Sequence, residues 1–153
     1  MDRLRLLAVD PDDLAIISAH CQDATVKVKD LIFRQREKQF VLEMNRFVWE
    51  GAVRKSRFPL FRRREFERRR AILHFDRVLR AQRFGFEATA EDQVLVLLAI
   101  RFTGTEAPSG VVELVFAGGA AIRLDVEVVE AQLADVGGAW STTALPDHER
   151  PDR

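Results

Sequence analysis

The stretch "QVLVLLAIRF", residues 93–102, is the most apolar part of the chain and decides the fold class. It is short and lies between turn-rich segments, which favours a buried central strand over a helix. Shortly after it, "VVELVFAGGAAIRLDVEV", residues 111–128, predicts a hairpin that turns at Gly118–Gly119. The apolar residues Val112, Leu114 and Phe116 of one arm correspond to Ile122, Leu124 and Val126 of the other.

Two segments that precede this stretch also alternate as strands do. Residues 25–49, "TVKVKDLIFRQREKQFVLEMNRFVW", predict a hairpin around a polar turn at 35–38, with a bulge near Asp30. Residues 72–86, "ILHFDRVLRAQRFGF", predict strands with a kink near Asp76–Arg77. The period-two pattern predicts a buried core that includes Phe40, Leu42, Leu95, Leu97, Leu114 and Leu124.

Two other segments favour helices. In "DPDDLAIISAHCQDA", residues 10–24, Asp10 can accept from free amides of the first turn and Pro11 fits the first helical position. In "VVEAQLADVGG", residues 128–138, a short closing helix is predicted, which the glycine pair would end. The apolar face of the first helix would consist of Leu14, Ile17, Cys21 and Ala24. The apolar face of the second would consist of Val129, Leu133 and Val136.

The resulting order is a strand, a helix, about seven strands and a helix, without alternation of strands and helices. This order predicts an α+β protein with a largely antiparallel curved sheet or partly closed barrel, an N-terminal helix and a C-terminal capping helix. A pleckstrin-homology-like barrel has seven strands and a C-terminal helix, and residues 25–137 match that count; an α+β sandwich is the alternative. We expect a single domain over residues 1–140 and a flexible tail over 141–153.

Composition and length indicate a soluble cytoplasmic protein. The chain has 153 residues, which fits one domain, and its single cysteine excludes an internal disulfide framework. Charges appear too early at the N-terminus for a signal peptide. The longest apolar run, Val94 to Ile100, is far shorter than the roughly 20 residues of a membrane-spanning helix.

The net charge of zero hides an uneven distribution. Residues 1–53 hold 8 Lys/Arg against 9 Asp/Glu, residues 54–83 hold 12 against 3, and residues 84–153 hold 4 against 12. The fold can bring the acidic end beside the basic middle, or it can leave two opposed faces of which the basic one meets a partner.

The basic middle centres on "RKSRFPLFRRREFERRR", residues 54–70. Interleaved phenylalanines and arginines can bind single-stranded nucleic acid, by stacking and by phosphate contacts, or anionic lipid. The alternative is a solvated loop whose arginines pair with nearby glutamates or with the acidic C-terminal third. The candidate anion-binding residues are Arg62, Arg63, Arg64, Arg68, Arg69 and Arg70.

Motifs for catalysis are weak. His20 and Cys21 are consecutive on the predicted helix and diverge, whereas His74 and Asp76 would share a strand face, where a carboxylate can orient an imidazole. No glycine spacing matches a phosphate loop, and the sequence predicts no metal and no cofactor. We therefore expect a small non-catalytic binding module with a polyanion or protein partner. The alternative is a small enzyme or enzyme subunit with a pocket at the open end of the sheet.

Several phrases in the same order resemble a bacterial family known as domain of unknown function 2948. They are "LRLLAVDPDDLAIISAHCQDATVKVKDL", "FVLEMNRFVWE", "RRRAILHFDRVL", "VLLAIRF" and "VVELVFAGGAAIRLDVEVVEAQLADVG". The resemblance runs from about Leu4 to Trp140 and implies a bacterial, mostly alphaproteobacterial, intracellular protein with one whole-chain domain. It implies no catalytic or binding residues.

Overall fold

The computed structural model describes residues 3–48 and 68–137. Short 3₁₀ turns lie at Val28–Asp30 and Ala117–Gly119. The helix and strands are β1 (Arg5–Ala8), α1 (Pro11–His20), β2 (Thr25–Lys27), β3 (Leu31–Arg34), β4 (Gln39–Phe47), β5 (Arg68–Phe75), β6 (Val78–Phe84), β7 (Val94–Gly104), β8 (Gly110–Phe116), β9 (Ala121–Val126) and β10 (Ala131–Asp135).

The described strands form one antiparallel sheet, as the sequence predicts. Its order is β1-β10-β5-β4-β2-β7-β8-β9-β6, and β3 pairs with β4. Strands β1 and β6 are the two ends of this path, and no pairing between them is present in the described part of the chain. The sheet is therefore unclosed.

The central position of β7 is confirmed. Its first residues pair with β2, at Val94 to Val96, and its remaining length from Leu97 pairs with β8. A register shift between Leu97 and Ala99 separates these two pairings. Strand β7 therefore joins the two halves of the sheet, and a bulge lets it change partner.

The predicted core is also confirmed, since all six predicted residues are buried. Strand β4 shows the underlying pattern most clearly, because Phe40, Leu42 and Met44 face the interior while the residues between them are half-buried. The pattern follows from the period of two in a strand.

Helix α1 begins as the sequence predicts. The Asp10 carboxylate accepts a hydrogen bond from the Asp13 amide at 2.8 Å, and Pro11 occupies the first helical position. Leu14 and Ile17 are buried, and the helix packs against β1 and β7. The Ser18 hydroxyl accepts from the Ile100 amide at 2.9 Å, which ties the helix to β7.

The predicted C-terminal capping helix is wrong, because residues 131–135 form strand β10 between β1 and β5. Ala131, Leu133 and Asp135 face the interior. The buried carboxylate at the last of these positions masks the apolar alternation in the sequence. Within the described residues, nine strands follow α1 and the last element is a strand, so the count that suggested a pleckstrin-like barrel does not hold. The predicted tail, 141–153, lies outside the described residues.

The fold brings acidic and basic thirds together. Strand β10 pairs with β5 and β9 pairs with β6, so the C-terminal third lies directly against the basic middle. Arg77 contacts Glu127 at 3.5 Å and Glu130 at 3.3 Å. Hydrogen bonding from Lys38 lowers the pKa of the Glu127 carboxyl. Arg77 of the basic middle is therefore neutralised within the molecule.

Among the described residues there is no helix with the length and hydrophobicity that crossing a lipid bilayer requires.

Candidate functional site, a cleft between β2 and β4

The six predicted anion-binding arginines divide into two groups. Arg62, Arg63 and Arg64 lie outside the described residues, in the connection 49–67 between β4 and β5. Arg68, Arg69 and Arg70 are the first three residues of β5. Phe47 pairs with Arg68, so the connection leaves and rejoins the sheet at one place.

Strand geometry separates the three arginines of β5. Successive residues point to opposite faces, so Arg69 is buried while Arg68 and Arg70 are exposed. These three residues therefore do not form one surface. Arg69 belongs to the interior, and only its two neighbours can meet a partner from the outer face.

The interior arginine joins a buried charged cluster with Arg46 and Asp135. Arg46 holds the Asp135 carboxylate with two hydrogen bonds, Nε to Oδ1 at 2.8 Å and Nη2 to Oδ2 at 3.0 Å. Arg69 Nη1 lies 3.7 Å from Oδ2, and the Leu4 amide donates to the same oxygen at 2.9 Å. Two guanidinium groups and a backbone amide thus share one carboxylate, which satisfies a charge that burial would otherwise disfavour.

The exposed arginines rest on neighbouring β4 residues. The Arg68 guanidinium lies over the Phe47 ring, 4.6 Å from its centroid, as a cation–π contact. Arg70 donates to the Glu43 carboxylate from Nε at 2.8 Å and from Nη2 at 2.7 Å, and Nη1 lies 3.4 Å from the Asn45 side-chain oxygen. These three contacts leave two of the five guanidinium N–H donors for other acceptors.

A cleft of about 370 Å³ opens beside Arg70. It forms because β2 pairs with β4 at Thr25 and Asn45, after which the turn at Val28–Asp30 carries the chain away before β3 resumes the pairing. Its volume is in the range of small-molecule sites. The lining residues are Thr25, Val26, Lys27, Lys29, Asp30, Glu43, Met44, Asn45, Arg70 and Val94.

The charges of the cleft are mixed, with a cationic excess. Three cations, Lys27, Lys29 and Arg70, face two carboxylates, Asp30 and Glu43. The Lys29 ammonium lies 3.8 Å from the Asp92 carboxylate, which is a long ion pair. Lys27 forms no ion pair within residues 3–48 and 68–137. The cleft therefore offers an exposed ammonium group and part of a guanidinium to an anionic group.

His74 and Asp76 do share the outer face of β5, but no hydrogen bond joins them. His74 Nδ1 lies 3.4 Å from Asp76 Oδ2, and Gln39 donates to the other Asp76 oxygen at 3.0 Å. The neighbours of His74 across the sheet are Val41 and Gln132, neither of which is a nucleophile. Nδ1 makes no hydrogen bond within the described residues, so Asp76 does not fix the imidazole, and neither cross-strand neighbour is a reacting group.

The other sequence candidates for chemistry are inert or scattered. Burial raises the pKa of the Cys21 thiol to about 12, although the nearby Arg46 charge lowers it in part. A thiol of this kind is not a nucleophile near neutral pH. In the part of the chain that the structure describes, no three His, Cys, Asp or Glu residues are grouped as metal ligands would be.

Sequence reasoning missed Lys27 and Lys29 as site residues. Their signal was present, because both alternate with the buried Val26 and Val28 and so belong to the outer face of β2 and the turn after it. What the sequence does not reveal is the gap between β2 and β4, since it depends on the turn at Val28–Asp30 interrupting a long-range pairing.

Comparison with known proteins gives a match at the level of the family. None of the curated proteins and none of the solved structures matches the chain significantly. A family model does match residues 4–148, nearly the whole chain. The chain therefore belongs to the family described as "Protein of unknown function (DUF2948)".

Proposed function

We propose that the protein is a cytoplasmic, non-catalytic binding module whose partner is a polyanion bearing phosphodiester groups. The partner would lie on the outer face of β4 and β5 and in the adjoining cleft. The observation that carries this proposal is the grouping of Lys27, Lys29 and Arg70 around one cleft, beside the exposed Arg68.

The cleft chemistry suits an oxyanion. Arg70 is held in place by Glu43 and keeps two donors free, so a phosphate oxygen can bind without reorganising the side chain. Lys27 is exposed and adds a second charge from the opposite wall. Contacts of this kind position a polyanion without reading its sequence.

The arginine-rich connection extends the same surface in sequence. It rejoins the sheet at Arg68, which pairs with Phe47, so Arg62, Arg63 and Arg64 are close along the chain to the exposed arginines. In this proposal these three residues, Arg68 and Arg70 contact the partner. Arg69 instead supports the interior beneath them.

The experiment is a titration of the full-length protein with labelled single-stranded RNA, single-stranded DNA and vesicles that contain phosphatidylglycerol. Each arm is repeated at several salt concentrations. We expect binding at low salt, with log affinity falling against log salt by roughly 0.7 to 0.9 for each phosphate neutralised. The arm with the highest affinity identifies the source of the phosphodiester.

Two variants and one matched control locate the surface. The double change Lys27→Gln and Arg70→Gln, and the triple change of Arg62, Arg63 and Arg64 to Gln, should each weaken binding and flatten the salt dependence. The control, Arg101→Gln with Arg123→Gln, removes exposed arginines from β7 and β9. Negligible binding by the wild type, or equal losses in the control, would overturn the proposal.

A further inference from the structure

Strands β3 and β6 each have one edge without a partner strand in the described structure. Strand β3 pairs with β4 on one side, and β6 pairs with β9 on one side as the last strand of its path. Their other edges carry backbone N–H and C=O groups that a neighbouring strand can satisfy. An edge of this kind is a template for pairing with another chain.

The two free edges meet at one end and are bridged by a side chain at the other. At one end, the Val78 amide donates to the Lys38 carbonyl at 2.9 Å, which joins the start of β6 to the turn after β3. At the other end, Arg83 Nη2 lies 3.4 Å from the Leu31 carbonyl oxygen. Between these two contacts β6 runs from Val78 to Arg83, and the chain opposite it runs from Lys38 back to Leu31. The two strands are therefore antiparallel, and we call the gap between them the β3–β6 seam.

The β3–β6 seam opens away from Val78. Paired strands lie about 4.7–4.9 Å apart and join through backbone hydrogen bonds. At Leu31 a long arginine side chain replaces the backbone donor, so the strands have separated beyond direct pairing there. Arg83 pairs across the sheet with Ile122, which is buried. An apolar residue would be expected at a position that shares a face with a buried residue.

Exposed apolar side chains lie on both sides of the seam. Ile32 on β3 is 49% exposed, and Leu79 and Phe84 on β6 are 49% and 42% exposed. Exposed apolar groups beside strand edges are a common feature of surfaces that bind a partner.

The charges near the seam are mainly basic. On β3, β6, β9 and the turn 35–38, two acidic residues, Glu37 and Asp125, are outnumbered by six basic ones: Arg34, Arg36, Lys38, Arg80, Arg83 and Arg123. The ion pairs Arg34–Glu37 and Arg80–Asp125 are both long, at 3.9 Å. Arg36 and Arg83 form no ion pair within the described ranges. A partner with carboxylates on one face would therefore be complementary.

We propose that the β3–β6 seam binds an extended acidic peptide segment of a protein partner, which adds as a strand to the free edge of β6. Its backbone pairs with β6, its apolar side chains cover Ile32 and Phe84, and its carboxylates meet Arg83 and Arg36. Alternation of the two residue types in the peptide follows from the period of two in a strand. This site is independent of the cleft between β2 and β4 and of its polyanion.

The test uses a labelled ten-residue peptide of alternating glutamate and valine, added to the full-length protein and followed by fluorescence anisotropy. We expect saturable binding, and we expect amide exchange to slow in β6 rather than in β1, the other end strand. An absence of binding, or protection of β1 alone, would overturn the proposal.

Two altered peptides test the mode of binding. Methylation of alternate backbone nitrogens, in both registers, should abolish binding because it removes the donors for strand pairing. Replacement of every glutamate by lysine should weaken binding by at least about tenfold. If the methylated peptides bind as well as the original, strand addition is excluded, and if the lysine peptide does, the acidic partner is excluded.

A matched pair of variants tests the location. Ile32→Ser with Phe84→Ser should weaken peptide binding by about tenfold or more. The control is Leu98→Ser with Ile16→Ser, which changes exposed apolar residues on β7 and α1. Both pairs should retain the wild-type midpoint of urea unfolding within a small shift. Equal peptide affinity in the Ile32/Phe84 variant and the wild type would show that the seam is not the site.

Discussion

Arg69 and Arg70 are consecutive residues on the same strand, yet their environments are opposite. Arg69 is 8% exposed and lies 3.7 Å from Asp135, whereas the Arg70 side chain is 47% exposed and lies 2.7 Å from Glu43. Removal of one partner should cost less at the shorter contact, because water screens the surface pair and solvates the group that is left. Burial, rather than distance, decides which arginine the fold depends on.

The comparison explains why a run of like residues does not define a binding surface in a strand. In "RRR" at 68–70 the middle residue turns inward and becomes structural. The interior and exterior arginines should therefore respond differently to substitution and to salt.

The largest effect is expected for Asp135→Asn. It removes the charge that Arg46 and Arg69 share in the interior, and breaking a buried ion pair costs about 3–5 kcal/mol. The free energy of unfolding from urea melts should fall by that amount. The matched control is Asp125→Asn, since that side chain is 38% exposed and its carboxylate lies 3.9 Å from Arg80; it should change stability by less than about 1 kcal/mol. Similar losses in the two variants would contradict the distinction between faces.

Much of the fold follows from local sequence. The capped start of α1, the turn before β4, the kink at Asp76–Arg77 and the turn at Gly118–Gly119 were all predicted, because each depends on residues close together in the chain. The central strand β7 was predicted from its apolar content and its length.

The errors have one physical origin, which is charge at inward positions. Asp135 on β10 and Arg69 on β5 read as surface residues in the sequence, since isolated charges are seldom buried. They are tolerated because Arg46, Asp135 and Arg69 neutralise one another in the interior. These residues meet only after three strands that are distant in sequence have paired. For the same reason β10 was predicted as a helix. The cleft at Lys27 and Arg70 was missed for a different reason, because it depends on the turn at Val28–Asp30 interrupting a long-range pairing.

The next effect extends the comparison to apolar neighbours on β7. Leu97 is fully buried and Leu98 is 44% exposed at the bulge. Leu97→Ala should lower the free energy of unfolding by about 2–5 kcal/mol, and Leu98→Ala by less than about 0.5 kcal/mol. Urea melts of both variants test this. A Leu97→Ala melt that matches the wild type would refute the assignment of β7 as the central core strand.

A third effect concerns how completely the interior near Arg46 excludes water from Cys21. Burial raises the pKa of Cys21 from 9.0 to about 12, so the folded protein holds the thiol proton more tightly than the unfolded chain. This contribution to stability is complete below pH 9 and is lost as the pH rises towards 12. At pH about 10.5 the loss should be about 2 kcal/mol relative to pH 8. Tyrosine and lysine side chains titrate in the same pH range, but the chain contains no tyrosine. The difference between the wild type and Cys21→Ala therefore separates the thiol from the lysines. Parallel pH curves for the wild type and the variant would show that the thiol is not desolvated.

The smallest effect is the coupling between Glu43 and Arg70 on the outer face. In a double-mutant cycle with Glu43→Gln and Arg70→Gln, the coupling free energy should be about 0.2–1 kcal/mol, because an exposed pair loses little by separating into water. It should shrink further at about 1 M salt, where the screening length falls to about 3 Å, while the loss in Asp135→Asn should persist. This difference in salt response separates the two faces more sharply than the magnitudes do. A coupling above about 3 kcal/mol that salt leaves unchanged would mean that the Glu43–Arg70 pair is needed for the stability of the fold. In that case an anion could not recruit Arg70, and the cleft would lose its best-oriented donor.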